Sequence, residues 1–201
     1  LGRLAFEQSG FSYPTFDEKV MFDAEGLAHP LLDPNTRVTN SVHMAAGAST
    51  DTSAFLVITG SNMAGKSTLL RALGLAVVLA RAGAPVCAQK LTMGPLSVVA
   101  SLRVRDSVGD GVSRFYAELR KVKRVLDTAR THRSALCLLD EVFSGTNARE
   151  RLLGAEGLLG ALAETGSIGA VCTHDLELGN LERAHPGVFR NVHFEEQVEG
   201  D

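Results

Sequence analysis

Phe55-Leu-Val-Ile-Thr59, then Gly60-Ser-Asn-Met-Ala-Gly65, then Lys66-Ser67-Thr68 is the stretch that decides the fold. The first five residues form a short, almost wholly apolar run ended by a glycine, as expected of a strand buried on both faces. From Lys66 to about Ala82 the apolar residues recur at helical spacing. Strand, tight loop and helix are predicted in that order.

The loop fits G-x-x-x-x-G-K-[ST] and sits where that pattern has a mechanism, directly after a strand and opening a helix. Its glycines let the backbone wrap closely around phosphates, with N–H groups and the positive end of the helix dipole aimed at the anion. Lys66 is then in reach of the β- and γ-phosphates, and the Ser67 hydroxyl is a ligand for Mg²⁺. Candidate nucleotide-binding residues are Gly60, Ser61, Asn62, Met63, Ala64, Gly65, Lys66, Ser67 and Thr68. A bare match can arise by chance in a glycine-rich turn; the flanking strand and helix argue against chance here.

Working outward, Ala135-Leu-Cys-Leu-Leu139 and Ser167-Ile-Gly-Ala-Val-Cys172 repeat the short apolar signature, so three central strands are expected. Helical spacing recurs over 114–129 and 149–164. Alternating strands and helices make the fold class α/β, a P-loop NTPase with a mostly parallel central sheet flanked by helices. The Ala-, Gly-, Ser- and Thr-rich stretch from Ala45 to Ala54 is expected to be an exposed connection.

Asp140-Glu141 leaves the C-terminal end of the second strand, the edge at which doubly wound folds bind ligands. Asp140 is a candidate for holding Mg²⁺, and Glu141 for polarising the attacking water. Thr173-His174 leaves the third strand at the same edge, where an imidazole can sense the γ-phosphate. Glu141, Lys66 and His174 are the candidate catalytic residues, Ser67 and Asp140 the candidate metal ligands, and ATP and Mg²⁺ the expected ligands.

The 201 residues suit one domain of ordinary size, with 45% hydrophobic and 21% charged residues. A formal charge of −3 gives the chain as a whole no electrostatic reason to grip a polyanion, so any DNA contact is expected elsewhere. The longest strongly apolar stretch, Ala72 to Ala80, is too short to span a bilayer. Cys87, Cys137 and Cys172 have no paired spacing, which suits a reducing cytoplasm. Leu1 is no initiator Met, and the chain stops in an acidic stretch, so it is expected to be a piece of a longer protein.

With these features in hand, the sequence resembles the C-terminal ATPase domain of the MutS family of DNA mismatch repair proteins over most of its length. Residues 60–68 are similar to that family's G-P-N-M-G-G-K-S-T, and Gly83-Ala-Pro-Val-Cys-Ala-Gln89 to its G-x-x-V-P-A. Arg105 to Glu118 looks like the family's D-D-L-A-S-G-R-S-T-F-M-x-E. Asp140 to Asn147 is similar to D-E-x-G-x-G-T-S, and Thr173 to Leu178 to T-H-Y-x-E-L. Ser61 and Ala64 stand where the pattern has Pro and Gly, Arg114 where it has Thr, and Phe143-Ser144 where it has Gly-Arg.

The resemblance implies an ABC-ATPase-like domain over residues 29–201, preceded over 1–28 by the end of an upstream connecting segment. It implies a homodimer through the ATPase domain, in which Ser113 acts in trans on the partner's nucleotide. Arg37 and Val38, just after His29-Pro30-Leu31, fall by register where the family contacts adenine. It further implies DNA binding by domains outside this fragment, nucleotide-gated clamp movement, a cytoplasmic location and no membrane. Two other readings stand beside it. One is a nucleotide-sensing dimerisation module with little turnover. The other is an ABC-type motor, which predicts an L-S-G-G-Q-like signature that this sequence lacks. A small-molecule kinase would need an arginine-rich lid and an acceptor pocket, neither of which the sequence displays.

Overall fold

A computed structural model describes residues 10–47, 52–61, 63–102, 114–132 and 134–195. Among them are nine strands: β1 (Thr15–Phe16), β2 (Met21–Leu27), β3 (Asn40–Ala45), β4 (Phe55–Gly60), β5 (Lys90–Met93), β6 (Ser97–Ser101), β7 (Ala135–Asp140), β8 (Ile168–Cys172) and β9 (Phe189–Phe194). The helices are α1 (Lys66–Arg81), α2 (Arg114–Thr131), α3 (Ala148–Ala163) and the short α4 (Leu181–Ala184), which follows a 3₁₀ turn at Leu176–Asn180.

Two sheets result. One is five-stranded and parallel throughout, in the order β6-β7-β8-β4-β9; the other is four-stranded and mixed, in the order β1-β5-β2-β3. The fold is α/β, with a parallel sheet flanked by helices. Every residue of β4, β7 and β8 is buried, as continuous apolar runs require of strands covered on both faces.

The chain leaves β4 in one direction across the sheet, towards β6, and steps β6, β7, β8, β9 in the other. With right-handed connections, α1 covers one face while α2, α3 and α4 cover the other. Helix α1 buries Leu69, Leu70, Leu73, Ala76, Val77 and Ala80. A side chain at Gly74 would come within 3.1 Å of Leu138 on β7. Neighbouring strands β4 and β8 therefore send the chain to opposite faces, which opens a crevice at their carboxyl ends.

The three expected central strands are present, but the parallel sheet has two more. β6 and β9 are edge strands whose residues are mostly half-buried or exposed, so their sequences lack an uninterrupted apolar run. The expected exposed connection over Ala45 to Ala54 is corrected at its end: Ser53 and Ala54 are buried, and the Ala45 amide donates to the Ser53 carbonyl at 3.1 Å. The expected boundary after residue 28 falls between β2 and β3, which pair with each other. No helix among the described residues is long and apolar enough to cross a membrane.

Candidate functional site

The loop from Gly60 to Gly65 is shaped by two glycines with different reasons for being glycine. At Gly60, φ is 141°, and a Cβ there would lie 2.3 Å from the Phe194 carbonyl oxygen, so β9 could not approach β4 if a side chain were present. At Gly65 there is space for a Cβ, but the residue caps α1 in the left-handed region at φ 90°. Gly65 has no side chain with which to cap α1, and the helix N-terminus opens at the carboxyl edge of the sheet.

Lys66 is only 6% exposed, and its Nζ donates to the carbonyls of Gly60 at 2.7 Å and Ser61 at 2.5 Å. Both partners are neutral, so the loop carries a buried ammonium whose charge they do not cancel. Ser67 and Thr68 follow, half-buried, on the first turn of the helix.

Strand register brings the acidic pair to this loop. Asp140 is the Cα partner of Cys172, and Cys172 that of Ile58, so β7 and β8 end level with Ile58, two residues before β4 ends at Gly60. Burial raises the Cys172 thiol pKa, the Asp140 and Glu141 carboxylates raise it further, and Lys66 opposes them. One buried sulfur thus feels all three candidate groups at once.

Glu141 leaves the strand at φ 47°, a left-handed conformation uncommon outside glycine and found at constrained turns. The turn directs its carboxylate towards His174, whose Nδ1 lies 3.6 Å from Glu141 Oε1. His174 is half exposed, whereas Glu141 is mostly buried. The exit of the histidine from β8 is held by the Thr173 amide on the Ile58 carbonyl at 3.0 Å and by the Asp175 amide on the Thr173 hydroxyl at 3.0 Å. Arg151 of α3 adds a half-buried ion pair to Asp175, at 3.6 Å.

A cavity of about 700 Å³ opens beside the loop. Met63, Ala64, Gly65 and Thr68 form one wall, Arg37 and Val38 another, and Val192 to Glu195 a third. His29 also lines it, and its pKa is lowered, first by burial and then by the Arg71 charge, both of which favour the neutral ring. Arg37 and Val38, about 155 residues before His193 and Phe194 of the edge strand β9, are thus gathered with the loop. The wall from β9 was not foreseen: there His193 Nδ1 lies 3.0 Å from the Thr59 hydroxyl. Its signal is the alternation in Phe189-Arg-Asn-Val-His-Phe194, which is weak in an edge strand. Asn62 and Ser113 lie outside the described residues, so the loop's third position and the trans contact have no described geometry.

The arrangement combines a helix N-terminus, a buried ammonium, a hydroxyl, a buried carboxylate and an adjoining carboxylate–imidazole pair around one crevice with an attached pocket. Such a set can bind a polyphosphate, supply hard oxygen ligands for a divalent cation and orient water.

A model of MutS domain V matches residues 56–201. The endonuclease MutS2 of Thermus thermophilus is 34% identical over 180 residues, covering 89% of this chain and 23% of that protein. The DNA mismatch repair protein MSH3 of Phaeosphaeria nodorum is 32% identical over 200 residues, covering 96% and 17%. The DNA mismatch repair protein MutS of Thermotoga neapolitana is 33% identical over 193 residues, covering 94% and 23%. The chain spans less than a quarter of the length of these curated relatives.

Proposed function

The chain belongs to the MutS family, and from that premise we propose that it is a P-loop ATPase domain, binding ATP with Mg²⁺ and hydrolysing it to ADP and phosphate. The observation that carries this reading is the buried Lys66 ammonium at the foot of α1, held by two neutral carbonyls, with the buried Asp140 carboxylate close enough that both charges act on the Cys172 thiol. A positive charge so placed, beneath a helix N-terminus, suits a polyphosphate better than any neutral ligand.

In this reading Gly60 to Thr68 cradles the phosphates, and Ser67 and Asp140 would hold Mg²⁺, which would supply positive charge beside the phosphoryl group. Glu141 orients the attacking water and takes its proton, and His174, 3.6 Å away, holds that carboxylate and registers the γ-phosphate. The cavity bounded by Arg37 and Val38 receives the base. Its volume lies within the ordinary range for small-molecule sites, about 300–1,000 Å³.

The rest of the proposal follows the relatives. Residues 29–201 form the nucleotide unit of a longer protein acting in DNA mismatch repair or a related DNA transaction. Two copies pair through it with Ser113 reaching the partner's nucleotide, and DNA engages other domains.

Lys66→Ala and Glu141→Gln test the site, with labelled-ATP binding and phosphate release as readouts. Lys66→Ala should abolish tight ATP binding. Glu141→Gln should keep binding and slow hydrolysis by roughly 10²–10⁴-fold. Unchanged affinity in the first variant would remove the loop from the site, and unchanged turnover in the second would remove Glu141 from its role. ATP binding without turnover in the unaltered dimer would favour a nucleotide-sensing module.

A further inference from the structure

Helix α2 separates its residues sharply by face. Val122, Val125 and Ala129 are buried against the sheet, while Arg120, Lys121, Lys123, Arg124 and Arg130 are all exposed. The helix sequence holds six basic and two acidic residues, a net charge of +4, in a chain whose total is −3. The remainder of the chain therefore carries −7, and the near-neutral total conceals a strongly cationic ridge.

Among the described residues, only Lys123 of these exposed cations has an ion-pair partner, Asp127 at 2.5 Å. A shallow groove of about 390 Å³ runs along the same face. Its lining includes Arg120, Lys123, Arg124, Thr128, Thr131 and His132, and its one carboxylate is the Asp127 that Lys123 already engages. Cations and hydroxyls together are hydrogen-bond donors of the kind that phosphate oxygens accept.

We propose that the outer face of α2, from Arg120 to His132, is a docking surface for the phosphate backbone of duplex DNA, in addition to any DNA contact made elsewhere in the full-length protein. The ridge from Arg120 to Arg130 extends about 15 Å at 1.5 Å per residue. A duplex presents one phosphate per strand about every 3.4 Å of its axis, so the ridge meets several of them. An acidic face of another protein is the less suitable occupant. Protein interfaces need an apolar centre, and the exposed apolar residues of α2, Phe115, Tyr116 and Leu119, lie on its N-terminal turns outside the groove. Nucleic-acid interfaces are instead strongly cationic, as the side chains lining this groove are.

The test is binding of a fluorescein-labelled 30-base-pair duplex of arbitrary sequence, without nucleotide, across a salt series. The unaltered chain should bind without sequence preference and lose affinity steeply as salt rises. Arg120→Gln/Arg124→Gln should weaken binding at least tenfold at low salt and reduce the slope of log affinity against log salt by about 1.8, at about 0.9 per lost phosphate contact. Arg120→Lys/Arg124→Lys should keep the slope, and Arg183→Gln, an exposed arginine of α4, should change nothing. Thermal midpoints within a degree or two of the unaltered chain confirm that folding is intact. Lys66→Ala should bind the duplex normally, which separates this surface from the nucleotide site. The proposal is overturned if the duplex is not bound at low salt, or if the glutamine variant binds with unchanged affinity and slope. It is also overturned if the chain instead self-associates through these arginines and ignores DNA.

Discussion

The Glu118 carboxylate of α2 accepts the Ser144 hydroxyl at 2.7 Å and the Gly145 amide at 3.3 Å. Both donors belong to the loop that carries Glu141 out of β7, and a Cβ at Gly145 would already sit 3.5 Å from the Phe115 backbone. The start of α2 and the exit of the acidic strand are therefore one packed unit. Glu118→Ala removes both acceptors at a charged group, a loss of about 1–3 kcal/mol that should appear as a lower thermal midpoint. In the proposed ATPase it should also cut turnover more than nucleotide affinity, because the loop behind Glu141 loosens while the phosphate loop does not. Equal losses of both would make Glu118 a support of the whole fold instead.

Phe143 occupies φ 60° where the family pattern has glycine, and its ring is nonetheless buried. Room for it comes from Gly154 on α3, where a Cβ would fall 3.2 Å from two ring carbons. Gly157, three residues on, has nothing within 4 Å of a Cβ. Gly157→Ala should therefore gain about 0.8–1 kcal/mol from helix propensity. Gly154→Ala should lose that gain to overpacking of about 1–3 kcal/mol against the ring. Urea denaturation of the two variants gives the comparison directly, and equal stabilisation would mean that Phe143 does not fill the space left by Gly154.

What the sequence made legible follows the strength of each local signal. β4, β7 and β8 were readable because burial on both faces forces an unbroken apolar run, and Lys66, Asp140, Glu141 and His174 because each stands at the end or the loop of such a run. β6 and β9 were not, because an edge strand with exposed positions gives a diluted pattern. With β9 went His193 and Phe194, a wall of the cavity. The mixed sheet escaped for another reason: β2 pairs with β3 across 13 to 24 residues and with β5 across 65 to 71, and no local period encodes such pairing. The cationic ridge was hidden by averaging, since the composition reports only the sum of +4 and −7.

Asn147 shows why the loop after the acidic strand ends in a small polar residue. It caps α3, its Oδ1 accepting the Glu150 amide at 3.0 Å, while Glu150 in turn accepts the Thr146 hydroxyl. Asn147→Ala should cost about 0.5–2 kcal/mol, and Asn147→Ser much less, because a serine hydroxyl can make the same bond. A thermal melt of the pair decides between a capping role and a role confined to an interface, for which both variants would melt like the unaltered chain.

Cys137, fully buried in β7, has its thiol pKa pushed up to about 12, first by burial, with a hydrogen bond involving Ser167 opposing. In the unfolded chain the same thiol titrates near its ordinary value of 9.0. Below pH 9 both states hold the proton, and stability is unaffected by it. Between pH 9 and about 12 only the folded state keeps it, so stability must fall as pH rises, by up to about 1.4 kcal/mol per pH unit. Cys137→Ala removes this dependence while leaving the other groups that titrate in the same window untouched. At pH 8 the variant should be the less stable protein, because a buried sulfur has been deleted. By pH 10 the gap should have narrowed by about 1 kcal/mol in urea denaturation. A gap that stays constant from pH 8 to pH 10 would mean that Cys137 ionises as readily in the folded chain as in the unfolded one, and that β7 is not closed to water.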